Sequence, residues 1–199
     1  LSKVMDGAND AHYKQLKQVL KYVETTKDYK LILRPTSTDK WELRAYSDSD
    51  FAGDSDTRKS VSGYIIYLNQ CPIAWRSRSQ KTTTLSSTEA EYIALSEVAS
   101  EVLFISGILK FLGKPCTYPI KIYVDNIGAI YISKNAGPGN RTKHIDTQYH
   151  FIREYIEKGE VKIIFVKSKD NKADPMTKNV NKQIFQKHTQ QLFSTQQIC

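Results

Sequence analysis

The sequence lacks the features that mark membrane and secreted proteins. No segment approaches the roughly 18 to 20 apolar residues that a membrane span requires, and the first six residues do not have the basic, apolar and small-residue regions of a signal peptide. We therefore expect a protein that is not secreted, binds no membrane and lies in the cytoplasm or the nucleus. Position 1 is also not a methionine, which favours a piece of a larger product.

The chain has few cysteines and a marked excess of positive charge. Cys71, Cys116 and Cys199 are far apart, and no histidine lies near them at the spacing of zinc ligands, so we predict free thiols. The net charge is +8 over 199 residues. Such a charge attracts polyanions such as nucleic acids, although a surface that is basic only for solubility would have the same composition.

Hydrophobic periodicity divides the chain into a helical leader and a larger domain. Residues 11–24 carry apolar side chains at the i, i+3, i+4 and i+7 positions of one helix face. Residues 35–39 (PTSTD) are typical of a turn-rich linker, so the boundary is predicted after residue 38. The main domain is then residues 39–185, and residues 186–199, rich in Gln, Ser and Thr, form a tail prone to fraying.

The main domain alternates strand and helix patterns. Turn residues Asn69 and Gln70 join the second and third strands, which indicates an antiparallel meander. The predicted elements are strands at 41–48, 63–68 and 72–77, a helix that begins at the start signature of residues 86–91 and runs to about 112, a strand at 120–124, helices at 127–133 and 144–158, a strand at 161–166 and a last helix starting near 174. This order predicts an α/β fold with a five-stranded mixed sheet flanked by helices.

Four acidic residues lie where an acid contributes little to folding. Asp48 and Asp125 end the first and fourth predicted strands, and strand ends are where α/β folds place their sites. Glu91 heads an apolar stripe on the long helix, formed with residues 95, 98, 102, 105 and 109, so its carboxylate should face the sheet. Asp174 opens the last predicted helix, directly before Pro175.

Each of these acids also has a purely structural explanation. Glu91 could complete a capping box with Thr88, Asp174 could be a helix N-cap, and Asp48 and Asp125 could be turn residues. If the four converge instead, two carboxylates about 4 Å apart repel by roughly 4 kcal/mol at an effective dielectric constant of about 20. Cations or protons must then offset the charge. Ligands that are all oxygen favour Mg²⁺ or Mn²⁺ over zinc, and a pair of such ions suits the hydrolysis of a phosphodiester.

A series of motifs resembles the ribonuclease H domain of copia-type retrotransposons over about residues 40–180. These motifs are residues 46–54 (YSDSDFAGD), 58–64 (RKSVSGY), 75–77 (WRS), 80–81 (QK), 85–92 (LSSTEAEY), 124–126 (VDN), 141–146 (RTKHID) and 172–178 (KADPMTK). The leading helix, with residues 12–13 (HY), 20–23 (LKYV) and 26–29 (TKDY), resembles the segment that joins reverse transcriptase to ribonuclease H in the same polyproteins.

The resemblance implies a ribonuclease H-like fold that cuts the RNA strand of RNA:DNA hybrids during reverse transcription. It maps the family's catalytic and metal-binding carboxylates onto Asp48, Glu91, Asp125 and Asp174, which would hold two Mg²⁺ ions, with Mn²⁺ as a substitute. The implied partners are the hybrid and the reverse transcriptase domain of the same polyprotein, in a cytoplasmic virus-like particle or in the nucleus. Many relatives carry a histidine in the loop before the fourth carboxylate, and residues 167–173 have none, which puts the turnover rate in doubt.

Basic and polar side chains near these motifs are the expected contacts to phosphates and 2′-hydroxyls of a hybrid. They are Arg58, Lys59, Arg76, Arg78, Lys81, Asn126, Arg141, Lys143 and Lys178. Each could equally be an ordinary solvated surface group. Two rival functions stay open: a domesticated or isolated ribonuclease H fold that binds hybrid or a protein partner without cutting, and a DNA-cutting integrase or resolvase of the same superfamily, which the arrangement of acids disfavours.

Overall fold

The chain forms two compact units. The computed structural model describes residues 7–31, 33, 40–54, 57–135 and 150–194. One unit comprises Leu1–Ile32 and Thr189–Cys199, and the other comprises Leu33–His188. The boundary predicted after residue 38 falls outside the described residues and stays a prediction.

The smaller unit contains one helix and a short two-stranded sheet. Helix α1 (Asp10–Thr26) follows the N-cap Asn9, whose side chain accepts a hydrogen bond from the backbone N–H of His12 at 3.1 Å. Strands β1 (Lys30–Leu31) and β7 (Phe193–Ser194) pair antiparallel. No residue of α1 is buried, so the apolar stripe predicted from the sequence is exposed along its length.

The larger unit is built on a five-stranded mixed sheet. Its strands are β2 (Leu43–Asp50), β3 (Val61–Leu68), β4 (Cys71–Ser79), β5 (Ile120–Val124) and β6 (Val161–Phe165), in the spatial order β4-β3-β2-β5-β6. The first three pair antiparallel, whereas β5 pairs parallel with both β2 and β6. The predicted meander and mixed sheet are confirmed, and this strand order is that of the ribonuclease H-like fold.

Helix α2 (Ser87–Phe111) provides most of the core opposite the sheet. Its residues Leu95, Val98 and Val102 have no exposed surface, which confirms the apolar stripe read from the sequence. They belong to one core cluster with side chains of β2, β5 and β6, such as Leu43. Burying an aliphatic side chain of this size stabilises a fold by about 1.5 to 3 kcal/mol, so this stripe holds helix and sheet together.

Helix α2 is also long and apolar enough, by length and composition alone, to cross a membrane. The expectation that no segment reaches this threshold was therefore wrong. Half of the residues in the apolar window are buried inside the folded unit, and the core helix of a folded domain passes the same test. Packing against the sheet accounts for the apolar composition of this helix.

The remaining helices agree with the predictions only in part. Helix α3 (Ile127–Lys134) matches the expectation, whereas α4 (Ile152–Glu157) is only the second part of the helix predicted over 144–158, whose residues 144–149 lie outside the described part. A 3-10 turn at Ser168–Asp170 precedes α5 (Asp174–Thr177), and α6 (Lys182–Leu192) follows it. The predicted helix start near 174 is confirmed by α5, but this helix is not the last one, because Lys178 takes an extended backbone that ends α5 after one turn and α6 follows. Residues 186–192 of the predicted tail belong to α6.

The prediction of free thiols is confirmed for Cys116. Its thiol is free and buried, and Cys71 is half-buried. Cys199 lies outside the described residues.

Candidate active site

Three carboxylates meet at one edge of the sheet. Asp48 lies in β2, Asp125 directly follows β5, and Asp174 is the first residue of α5. One carboxylate oxygen of each lies within 4.8 Å of the others. They meet because β2 and β5 are parallel neighbours, so that their carboxyl ends share an edge. Asp48 and Asp174 are buried, and Asp125 is half-buried.

Glu91 adjoins this group from helix α2. It is buried and faces the sheet, as the stripe on the helix predicted. Its Oε1 accepts a hydrogen bond from the backbone N–H of Ser49 at 3.1 Å, and its Oε2 is buried and has no hydrogen-bond partner among the described residues. Glu91 is not one of the three acids whose oxygens lie within 4.8 Å of one another. The predicted convergence is therefore tight for three acids and looser for the fourth.

The structural explanation proposed for Glu91 was wrong. The N-cap of α2 is Ser86, whose Oγ accepts a hydrogen bond from the backbone N–H of Glu89 at 3.2 Å. Glu89 in turn accepts a hydrogen bond from the backbone N–H of Leu85 at 2.7 Å through Oε2. Since these residues cap the helix, Glu91 has no capping role and its carboxylate is left to the site.

Asp174 and Asp125 do not cap helices either. The residue at the N-cap position of α5 is Ala173, and Asp174 lies inside the helix. Helix α3 is capped by Asn126, whose Oδ1 accepts a hydrogen bond from the backbone N–H of Ala129 at 2.9 Å. Asn126, which was predicted to contact nucleic acid, thus caps helix α3 through its side-chain oxygen.

Burial and the charges of neighbouring carboxylates disfavour ionisation of Asp48 and Glu91. Burial, together with the charges of Asp174 and Asp125, raises the pKa of Asp48 to about 7, against the opposing effects of a hydrogen bond from Thr177 and the charge of Lys178. Burial, followed by the charges of Asp48 and Asp125, raises the pKa of Glu91 to about 8. Two carboxylates 4.8 Å apart repel by about 3.5 kcal/mol at an effective dielectric constant of about 20. The site therefore favours a bound cation.

One resident cation already contacts the group. Lys178 Nζ lies 3.4 Å from Asp48 Oδ1 and 3.2 Å from Asp174 Oδ1. Thr177 Oγ1 donates a short hydrogen bond to Asp48 Oδ2. Burial lowers the pKa of the Lys178 ammonium, but the charges of Asp48 and Asp174 outweigh it and the pKa is raised. The sequence-based prediction placed Lys178 on a phosphate; the i, i+4 spacing from Asp174 was the signal for this ion pair.

Asn171 fixes the loop that leads to Asp174, although it was not among the predicted site residues. It is fully buried, and its Nδ2 donates a hydrogen bond to the carbonyl oxygen of Ser47 at 2.9 Å. Its Oδ1 accepts a hydrogen bond from the backbone N–H of Ala173 at 3.2 Å. Since Ser47 precedes Asp48 and Ala173 precedes Asp174, Asn171 holds the chain segments of two acids together.

Gly63 allows α5 to approach the sheet closely. It pairs with Asp48 in the β2–β3 register. A Cβ atom at this position would lie 2.6 Å from Thr177 Cγ2 and 2.7 Å from Met176 Cβ. The absence of a side chain at Gly63 therefore lets the helix that carries Asp174 lie against the strand that faces Asp48.

The predicted nucleic-acid contacts are distributed over several surface elements. Arg76 and Arg78 lie two residues apart on the edge strand β4, so they project from the same face of the sheet. Arg58 and Lys81 are exposed, and Lys59 is half-buried. Arg141 and Lys143 lie outside the described residues. The arrangement leaves the role of these basic residues a proposal.

The chain is similar to segments of retrotransposon polyproteins. It is 40% identical over 192 residues to the retrovirus-related Pol polyprotein from transposon RE2 of Arabidopsis thaliana, a match that covers 96% of this chain and 13% of that protein. It is 35% identical over 186 residues to the retrovirus-related Pol polyprotein from transposon TNT 1-94 of Nicotiana tabacum, with coverage of 94% and 14%. The chain thus spans about an eighth of the length of these relatives.

Comparison with family models and solved structures adds one further likeness. No protein-family model matches the chain. The crystal structure of RNase H1 from the halophilic archaeon Halobacterium salinarum superposes with a TM-score of 0.44 and 15% sequence identity, covering 68% of this chain and 94% of that one.

Proposed function

Because the chain belongs to the retrovirus-related Pol polyproteins of copia-type retrotransposons and is their ribonuclease H domain, we propose that it hydrolyses the RNA strand of RNA:DNA hybrids during reverse transcription. The observation that carries this proposal is the group formed by Asp48, Asp125 and Asp174, whose oxygens lie within 4.8 Å of one another at the edge of the sheet. Metal-dependent nucleases use such a concentration of negative charge to hold their ions at the scissile phosphate.

The donor set fits a pair of divalent cations such as Mg²⁺ or Mn²⁺. The ligands available from the three aspartates and Glu91 are all carboxylate oxygens, which these ions prefer. Glu91 Oε2 is buried and accepts no hydrogen bond from the described residues, whereas Asp174 Oδ1 lies 3.2 Å from the Lys178 ammonium. A buried oxygen without a donor is costly unless a cation or a proton reaches it, so Glu91 Oε2 supports a metal site here. When bound, the ions would supply a water of lowered pKa and stabilise the charge that develops on the phosphate.

The protein's own groups would orient these ligands. Thr177 holds one oxygen of Asp48 through its hydroxyl, which leaves the orientation of that carboxylate set before any ion arrives. The backbone N–H of Ser49 holds Oε1 of Glu91, and Oε2 has no donor among the described residues and would be available to an ion. Asn171 ties the segments before Asp48 and Asp174 together. Such fixed ligands lower the cost of organising the site when substrate binds.

The basic groups would bind the phosphates of the hybrid. Arg76 and Arg78 of β4 project from one face of the sheet. In the sequence, Arg58 comes shortly before β3 and Lys81 shortly after β4. Contacts to phosphates position a nucleic acid without reading its bases, as expected for an enzyme that acts on hybrids of any sequence. Discrimination for RNA would come from groups near the acids that meet 2′-hydroxyls.

The test is metal-dependent digestion of a labelled RNA:DNA hybrid, compared with duplex RNA and duplex DNA. We expect the protein to cut the hybrid, but neither duplex RNA nor duplex DNA, when Mg²⁺ or Mn²⁺ is present. The Asp48→Asn variant should not cut the hybrid. Asp170→Asn is the matched control, since Asp170 is an exposed acid that pairs with Lys187. Cutting that persists in Asp48→Asn refutes the assignment of the site. Tight binding of hybrid in EDTA with no cutting on adding Mn²⁺ supports the rival function of binding without hydrolysis.

A further inference from the structure

We propose that the ammonium of Lys178 neutralises the carboxylates of Asp48 and Asp174 in the metal-free protein and is displaced when a divalent ion binds to them. The proposal rests on the proposed function, because it concerns the regulation of the same site. It makes metal affinity at this site depend on a side chain that is not itself a ligand.

The contacts of Lys178 support this role. Its Nζ lies 3.4 Å from Asp48 Oδ1 and 3.2 Å from Asp174 Oδ1, so a single ammonium is shared by two of the three converging acids. Both carboxylates are almost completely buried, whereas the Lys178 side chain is 37% exposed. The ammonium can therefore move towards solvent, while the acids cannot.

A divalent ion at these oxygens and the ammonium compete for the same negative charge. Mg²⁺ binds carboxylate oxygens at about 2.1 Å, so an ion on Asp48 Oδ1 or Asp174 Oδ1 would lie no more than about 5.5 Å from an ammonium held at 3.2 to 3.4 Å from the same atoms. Two cations this close, in a buried setting, repel strongly. Binding of the ion therefore favours release of Lys178, and Lys178 weakens binding of the ion.

The released side chain would be placed for a second contact. Lys178 begins the extended segment that follows α5, and its stem starts beside Asp174, where the scissile phosphate would lie. Once displaced, the ammonium could bind a phosphate oxygen of the substrate, which is the role that the sequence analysis assigned to it. One lysine would thus stabilise the empty site and then contact the substrate in the loaded one.

The chain provides a matched control for this ion pair. Lys158 also pairs with an acid four residues earlier, since its Nζ lies 2.6 Å from Glu154 Oε1. That pair is exposed on α4, with side-chain exposures of 53% and 64%, and Glu154 is not one of the converging acids. Lys158→Met removes the same charge in the same local geometry without touching the site.

The decisive experiment is a calorimetric titration of the full chain with Mn²⁺, without nucleic acid, for the wild type, Lys178→Met and Lys158→Met. An opposite charge within about 4 to 6 Å changes the proton affinity of a carboxylate by about 10- to 1000-fold, so Lys178→Met should bind Mn²⁺ at least about 10-fold more tightly. Lys158→Met should bind like the wild type. Affinity of Lys178→Met that equals or falls below the wild-type value overturns the proposal, and so does a wild type that binds no Mn²⁺.

A second measurement needs no variant and covers the case in which Lys178→Met fails to fold. The side-chain ammonium of Lys178 is followed by NMR in the wild type as Mg²⁺ is added. We expect its resonance to move towards that of solvated lysines, in step with metal binding, while that of Lys158 stays unchanged. A Lys178 resonance that does not respond while Mg²⁺ binds contradicts displacement. Because neither measurement uses hydrolysis, failure of hybrid cutting would refute the proposed function separately.

Discussion

Replacing Asp48 by Asn should stabilise the metal-free protein while it abolishes hydrolysis. Asp48 is buried, and its pKa is raised from 3.8 to about 7, first by burial. A carboxyl group whose pKa is higher in the folded than in the unfolded state binds its proton more tightly when folded. The wild type therefore loses stability as pH rises from about 4 to about 7, and the loss is complete above the folded pKa.

The size of this effect follows from the two pKa values. Each pKa unit corresponds to 1.36 kcal/mol, so the shift from 3.8 to about 7 sets an upper limit of about 4 kcal/mol on the gain in unfolding free energy for Asp48→Asn near pH 8. We expect about 2 to 4 kcal/mol, since a neutral amide does not reproduce every contact of the protonated acid. The gain near pH 5 should be smaller by about 2 to 3 kcal/mol, because there the folded wild type is mostly protonated at this position.

Urea unfolding in EDTA, at about pH 5 and about pH 8, measures both quantities. Asp170→Asn is the control of opposite sign: Asp170 is exposed, and a hydrogen bond from Lys187 lowers its pKa, so its replacement should not stabilise the protein. Adding Mg²⁺ should stabilise the wild type, by about 2.7 kcal/mol at a concentration 100 times its Kd, and should stabilise Asp48→Asn much less. An Asp48→Asn protein that is no more stable than the wild type near pH 8, or whose gain does not change with pH, refutes the reasoning.

Three further substitutions test the packing and the binding surface. Gly63→Ala should lower the unfolding free energy by about 1 to 3 kcal/mol in urea, because its Cβ would collide with α5, whereas Gly107→Ala, with open space around it, should cost nothing. Asn171→Ala should cost about 1 to 3 kcal/mol by leaving the carbonyl of Ser47 without its donor; an unchanged urea midpoint would contradict this. Arg78→Ala should weaken hybrid binding and reduce the slope of log K against log salt by about 1 in a fluorescence titration, and an unchanged slope removes Arg78 from the binding surface.

The element types and the orientation of Glu91 could be predicted from the sequence. The apolar stripe of Leu95, Val98 and Val102 has the period of a helix, and the alternation over residues 120–124 has the period of a strand. These periods arise from the local geometry of the backbone, so they are visible without knowledge of any partner. The same stripe placed Glu91 towards the sheet, where the structure has it.

The contacts within the site were decided only by the tertiary structure. Lys178 was predicted to bind phosphate, yet its ammonium lies on Asp48 and Asp174. Asn171 was not singled out, although it joins the segments before both acids. Each of these contacts depends on where β2 and the chain before α5 come together, and that is set by the packing of segments far apart in the sequence. The pattern of residues therefore determined which acids were available, and the pairing of the strands determined how closely they meet and which cation they hold.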